Sequence, residues 1–144
     1  EDFALVALLK DCSKKKNLCQ GQKLHVDILK KGLLRKSPYL SSSLISMYAK
    51  CNALDQAKGV MDELLVRDTT SWNALISGYV KEGKRKEAFL CFDEMQRESL
   101  FPPDTITFIC LLQACGRTRS IYKGKQIHEE IVEFLLGDSE QFLE

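Results

Sequence analysis

Apolar residues recur along this chain at spacings of three and four, in paired stripes separated by short polar breaks. Between positions 69 and 104, Trp72, Leu75, Ile76, Tyr79 and Val80 form one stripe, and Ala88, Phe89, Phe92 and Met95 form another. Such spacing lays each set on one side of a helix of 3.6 residues per turn. Gly83 interrupts the pattern between the two stripes. Pro102-Pro103 stops the second, because proline lacks the amide donor that a helix interior needs. The preceding stretch has the same plan: Leu44, Ile45 and Tyr48, a break at Cys51-Asn52, then Leu54, Ala57, Val60, Met61 and Leu64. At the start of the chain Leu5, Leu8, Leu9 and Cys12 precede Leu24, Ile28 and Leu29. Towards its end Ile106, Ile109, Leu112 and Cys115 precede Ile127, Ile131, Phe134 and Leu135. Little alternates with a period of two, so strands are not expected.

The pattern also repeats in detail. A slide of 31 positions lays Leu44, Ile45, Ser46, Tyr48, Lys50, Ala57, Asp62 and Glu63 on Leu75, Ile76, Ser77, Tyr79, Lys81, Ala88, Asp93 and Glu94. A slide of 103 lays Cys12, Gly21, His25 and Ile28 on Cys115, Gly124, His128 and Ile131. Periods of this size mark stacked helix pairs, none of which can bury its apolar face alone. Four units result, over 2–37, 38–68, 69–104 and 105–140. The expected fold is all-α: a right-handed superhelical solenoid of four helix-turn-helix repeats, eight helices in all, with first helices on the concave side. In such an array function lies on a surface running along the stack rather than in one pocket.

Composition narrows this picture only a little. The chain has 144 residues, 44% of them apolar and 28% charged, which suits one domain with a continuous core. The net charge of +1 favours no class of partner. Charge placement says more. Basic clusters fall at 14–16, 30–31, 35–36, 84–86 and 117–125, whereas acids gather at one phase of successive units, at 62–63, 93–94 and 129–130. Stacking can segregate the signs and leave one basic edge, or the clusters can be ordinary solvated helix ends.

No stretch reaches the ~18 uninterrupted apolar residues of a membrane span. The chain opens in mid-pattern, without a secretory or transit segment, and reads as a mature piece or an excised part of something longer. Six cysteines include no C-x-x-C pair, and Cys12/Cys115 and His25/His128 recur with the repeat, as packing residues do. Structural thiols in a reducing compartment are expected, with no metal site.

Longer motifs carry a family resemblance. Residues 46–51 (SMYAKC), 54–57 (LDQA), 67–79 (RDTTSWNALISGY), 92–95 (FDEM), 111–115 (LLQAC) and 124–128 (GKQIH) resemble pentatricopeptide repeats of the land-plant PLS class. By length and motif the four units resemble that class's long, short, standard and long types, in chain order. The resemblance covers nearly the whole chain. It implies single-stranded RNA binding with about one base read per repeat by two or three side chains. It also implies a setting in organellar RNA editing or processing, in mitochondrion or chloroplast.

In this family the base-reading positions are the fifth residue of the first helix and the last residue of the unit. These are Val6 with Ser37, Ser42 with Asp68, Asn73 with Asp104, and Ile109 with Glu140. The middle pairs suit the task, since an amide or hydroxyl can bond a base edge and a carboxylate can orient it. The resemblance implies guanine at Ser42/Asp68 and uracil at Asn73/Asp104, a preferred core of 5′-GU-3′. Val6 and Ile109 cannot hydrogen-bond a base, so the outer pairs are weaker readers. An extra residue in 101–104 is expected to test the placement of Asp104.

Phe3, Tyr39, Thr70 and Ile106 match the position that wedges between bases, with helix-start packing as the alternative role for Tyr39. Base–aromatic stacking contributes ~1–3 kcal/mol per base. Lys50 and Lys81 match the phosphate-contacting lysine, or else are simply solvated. No cofactor is implied and no catalysis is expected. His128-x-Glu130 is matched by no C-x-x-C, so a zinc deaminase is not supported. Any chemistry would come from an effector domain or a protein in trans. A helical scaffold for protein partners stays open as the alternative function. Exposed apolar ends of a short array also make a homodimer an expectation.

Overall fold

Three of the first helices begin where a polar side chain accepts an amide proton that the first turn leaves unbonded. The computed structural model describes residues 2–98, 100–118, 128, 129 and 131–133. Among them run α1 (Asp2–Lys15), α2 (Leu18–Lys30), α3 (Pro38–Lys50), α4 (Leu54–Glu63), α5 (Thr69–Lys81), α6 (Arg85–Glu98) and α7 (Thr105–Thr118). Ser37 caps α3 through the amide of Leu40, and Asp68 caps α5 through that of Ser71. Asp104 accepts from the amide of Thr107 in α7. Such caps stabilise a helix by ~1 kcal/mol each. Residues 128, 129 and 131–133 are helical where the eighth helix is expected; the rest of it lies outside the described residues.

Helix pairing gives the curvature. α1 packs on α3, α3 on α5 and α5 on α7, making one continuous layer of first helices. Among the described residues, the backbones of α2, α4 and α6 do not approach one another closely and pack only against first helices. A double layer whose one side touches and whose other side splays must bend around the touching side. The first helices therefore form the concave layer, as expected.

Burial follows the same division. The middle first helices are covered on several sides: α3 buries Leu40, Leu44, Ile45, Met47 and Tyr48, and α5 buries Trp72, Leu75, Ile76, Tyr79 and Val80. Second helices bury one stripe each, such as Leu54, Ala57, Val60 and Met61 in α4. Fully burying a side chain of this size contributes ~1.5–3 kcal/mol. Gly78 lets α3 and α5 close up. A Cβ there would lie 2.7 Å from Leu54 Cδ2 and 3.1 Å from the Ala49 methyl.

The hairpin turn recurs to the atom. Lys16, Asn52 and Gly83 occupy one position of successive repeats, and all adopt a left-handed backbone, with φ of 53°, 60° and 75°. In each turn the next amide reaches back five residues: Asn17 to Cys12, Ala53 to Tyr48, and Lys84 to Tyr79. This is the usual left-handed helix ending, which glycine and asparagine adopt cheaply and lysine does not.

On the splayed side the second helices are bridged by charge. Lys58 of α4 pairs with Glu94 of α6 at 2.9 Å and with Asp62 at 3.0 Å, and Arg67 pairs with Glu98. Lys58 and Arg67 also lie 5.7 and 5.9 Å from the centre of the buried Trp72 ring. No described helix is long and apolar enough to cross a membrane.

Candidate nucleic-acid interface

Because the units are in register, like positions of α3, α5 and α7 fall side by side. The second residues of the units stand outward. Phe3, Tyr39 and Ile106 are 92%, 80% and 58% exposed, and Thr70 is exposed as well. Ser42 and Asp68 lie beside Tyr39 and Thr70 along a cavity of about 780 Å³, which Val6 also lines. Sequence reasoning did not foresee the apolar part of its wall, Leu65, Val66 and Phe101, which comes from loops without periodicity.

In this pair the contacts are loose. Ser42 Oγ is 3.4 Å from Asp68 Oδ2, 3.3 Å from Ser71 Oγ and 2.9 Å from the Pro38 carbonyl one turn back. One hydroxyl proton cannot serve both the Pro38 carbonyl and the Asp68 carboxylate at once, so the group is free to re-aim.

The next pair is closed. Asn73 Nδ2 donates to Asp104 Oδ1 at 2.9 Å, so the extra residue before Asp104 has not displaced it. Thr107, which is fully buried, donates its hydroxyl proton to Asn73 Oδ1. Thr107 Oγ1 also accepts from the Asp104 amide at 3.1 Å, and the Thr107 amide donates to Asp104 Oδ1 at 3.1 Å. Burial pushes the Asp104 carboxyl up, but the bonds from Asn73, Thr107 and the Ile106 amide outweigh it and hold the pKa below its ordinary value. Asn73 is left only 7% exposed. Unlike Ser42, Asn73 therefore does not stand open to the groove. Its amide is long enough to reach the next repeat, and two bonds draw it under cover.

The outer pairs divide similarly. Ser37 is buried and accepts from the Leu40 amide, so it serves as a helix cap rather than a groove side chain. Ile109 is half exposed. Its partner Glu140 lies outside the described residues.

At the other end of the first helices, exposed Lys50 and Lys81 line one cavity of about 410 Å³ together with Lys16. Lys14 holds the same register in α1 as Lys50 in α3 and Lys81 in α5, a basic row at one fixed position of successive units. Like charges repeated at one rim attract a polyanion laid across the helices. No cluster of three or more potential metal ligands occurs among the described residues.

Models of the PPR (pentatricopeptide repeat) family match residues 40–68 and 67–117, together more than half of the chain. The chain belongs to the PPR repeat family. It is 34% identical over 128 residues to a mitochondrial pentatricopeptide repeat-containing protein of Arabidopsis thaliana, a match covering 89% of this chain and 12% of that one. A chloroplastic Arabidopsis relative is 30% identical over 131 residues, covering 91% and 21%. The chain thus spans about a fifth or less of these PPR proteins. Its fold resembles maize PPR10, with TM-score 0.78 and 23% identity over 93% of this chain and 20% of that one. It also resembles the PPR domain of Arabidopsis protein-only RNase P 1, solved in complex with tRNA, with TM-score 0.55 and 14% identity over 94% and 91%.

Proposed function

We propose that this PPR segment binds single-stranded RNA along the concave layer and reads two adjacent bases, one at Ser42/Asp68 and the next at Asn73/Asp104. One observation carries the reading: in consecutive repeats the fifth residue of the first helix hydrogen-bonds the closing carboxylate of its own unit. A hydroxyl or amide held by a carboxylate suits recognition of a base edge. Tyr39 stands beside the first pair with its ring in solvent, ready to stack on a base. The lysine row at the other rim suits the phosphates.

The preferred core is 5′-GU-3′, with the units arranged as the long, short, standard and long types of the PLS class. The relatives named chloroplastic and mitochondrial support an organellar setting, and any editing or processing chemistry falls to another domain or a partner protein. Affinity is modest, in the region of 10⁻⁴ to 10⁻⁶ M at physiological salt, because few phosphates are neutralised. Fluorescence anisotropy with short strands carrying GU, GC, AU or scrambled cores tests the reading. Tighter binding to GU supports it, and equal affinity for all four defeats it. Binding that needs no RNA, to a protein partner alone, would favour the scaffold alternative.

A further inference from the structure

We infer that Thr107, the third residue of the fourth repeat, positions Asn73 of the third repeat and thereby sets which base that repeat accepts. The inference rests on the reading of Asn73/Asp104 as a base-contacting pair. Thr107 comes from a different repeat, 34 positions along the chain, yet it holds both members of the pair.

The bond directions explain how. A hydroxyl carries one proton and two lone pairs. Thr107 takes the Asp104 amide proton on one lone pair and gives its own proton to Asn73 Oδ1. Asp104 Oδ1, 3.1 Å from Thr107 Oγ1, already accepts from Asn73 Nδ2 and the Thr107 amide, so it competes poorly for that proton. The Asn73 amide is therefore held at both ends. Turned over, its oxygen would face the Asp104 carboxylate and its NH₂ would face the hydroxyl proton, so only one orientation satisfies both partners.

Specificity follows from what the two partners leave over. Oδ1 is turned towards the buried hydroxyl, whereas Nδ2 is turned towards Asp104 and keeps one N–H unused. A pre-set donor favours a base that presents a carbonyl oxygen, as uracil does, over one that presents an amino group, as cytosine does. Without the hydroxyl, Asp104 alone orients the amide, and the preference for a carbonyl-bearing base weakens. The counterpart in the preceding repeat, Ser71, approaches Ser42 only to 3.3 Å and imposes no such lock.

The test compares Thr107→Val, which keeps the shape and removes the hydroxyl, with Thr107→Ser, which keeps the hydroxyl, both in the full 144-residue chain. Anisotropy is read with strands that differ only by U or C at the second core position, and by G or A at the first. The U-over-C ratio is expected to fall roughly three- to tenfold in Thr107→Val, about one hydrogen bond's worth, and to be kept in Thr107→Ser. The G-over-A ratio at Ser42 stays unchanged in both. An unaltered U-over-C ratio in Thr107→Val overturns the inference, as does an equal loss for U and C, which marks a purely structural role. If Thr107→Val does not fold by circular dichroism, Thr107→Ala is read against the same two outcomes. A parent chain that fails to tell U from C defeats the base-reading proposal itself.

Discussion

Ser42/Asp68 and Asn73/Asp104 occupy the same positions of consecutive repeats, yet one pair is open and the other is locked. Ser42 borders a cavity, bonds back to the Pro38 carbonyl and meets Asp68 and Ser71 only loosely; Asn73 is nearly covered and fixed by two neighbours. Side-chain reach makes the difference. A serine hydroxyl bonds back to its own helix, as serine commonly does at that spacing. An asparagine amide extends further, meeting Asp104 at the end of its own repeat and Thr107 in the next. One scaffold thus offers an adaptable side chain followed by a rigid one at the two positions proposed to read bases.

The change that would break both together is loss of Trp72, whose buried ring adjoins Asn73 in sequence and lies under Lys58 and Arg67. Trp72→Ala is expected to cost about 3–5 kcal/mol, measured by urea denaturation, and to abolish both sites. An unchanged midpoint would refute the packing described for α5.

A smaller effect separates the pairs. Asp104→Ala removes a cap and leaves Asn73 Nδ2 without its carboxylate acceptor, for about 2–4 kcal/mol in total. Asp68→Ala removes a cap beside a half-buried serine, for roughly 1 kcal/mol. Thermal melts that found the two equal would contradict the open-versus-locked distinction.

These contrasts also mark what the sequence could disclose. Helix positions, the break at Gly83 and the burial of Trp72 were legible because apolar periodicity and chain punctuation act locally. The two carboxylate pairs were legible through family resemblance, and their hydrogen bonds agree with it. The cover over Asn73 was not, because it depends on a hydroxyl from another repeat. A signal was present: Asp68-x-x-Ser71 and Asp104-x-x-Thr107 share one spacing, whereas the first junction, Ser37-x-x-Leu40, lacks the second polar group. The third left-handed turn was hidden for a different reason, since Lys16 does not announce that conformation as Asn52 and Gly83 do. The eighth helix and Glu140, expected from periodicity and resemblance, fall wholly or partly outside the described residues.

Acid sharpens the contrast further. The pKa of Asp104 lies below its ordinary value in the folded chain, so its contribution to stability is complete above the unfolded value, 3.8, and is lost as pH falls through the lower folded value. Stability measured from pH 5 down to 2 is expected to fall less steeply in Asp104→Asn than in the parent. Identical slopes would mean that the locked pair is not held by charge.

The smallest expected effect lies away from both pairs. Lys16→Gly relieves a left-handed non-glycine residue and should raise stability by roughly 1 kcal/mol, visible as a higher melting temperature. Base preference should not move, since the turn touches neither reader; a shift there would show that the two rims of the concave layer are coupled.

The central claim is that the fifth residues of neighbouring first helices each choose one of two adjacent bases. It is tested most directly by Ser42→Asn, which gives the second repeat the side chain of the third. Anisotropy across all sixteen dinucleotide cores is predicted to move the optimum from 5′-GU-3′ to 5′-UU-3′, with the second base unaffected. An optimum that stays in place, or one that moves at the second base instead, would contradict the account.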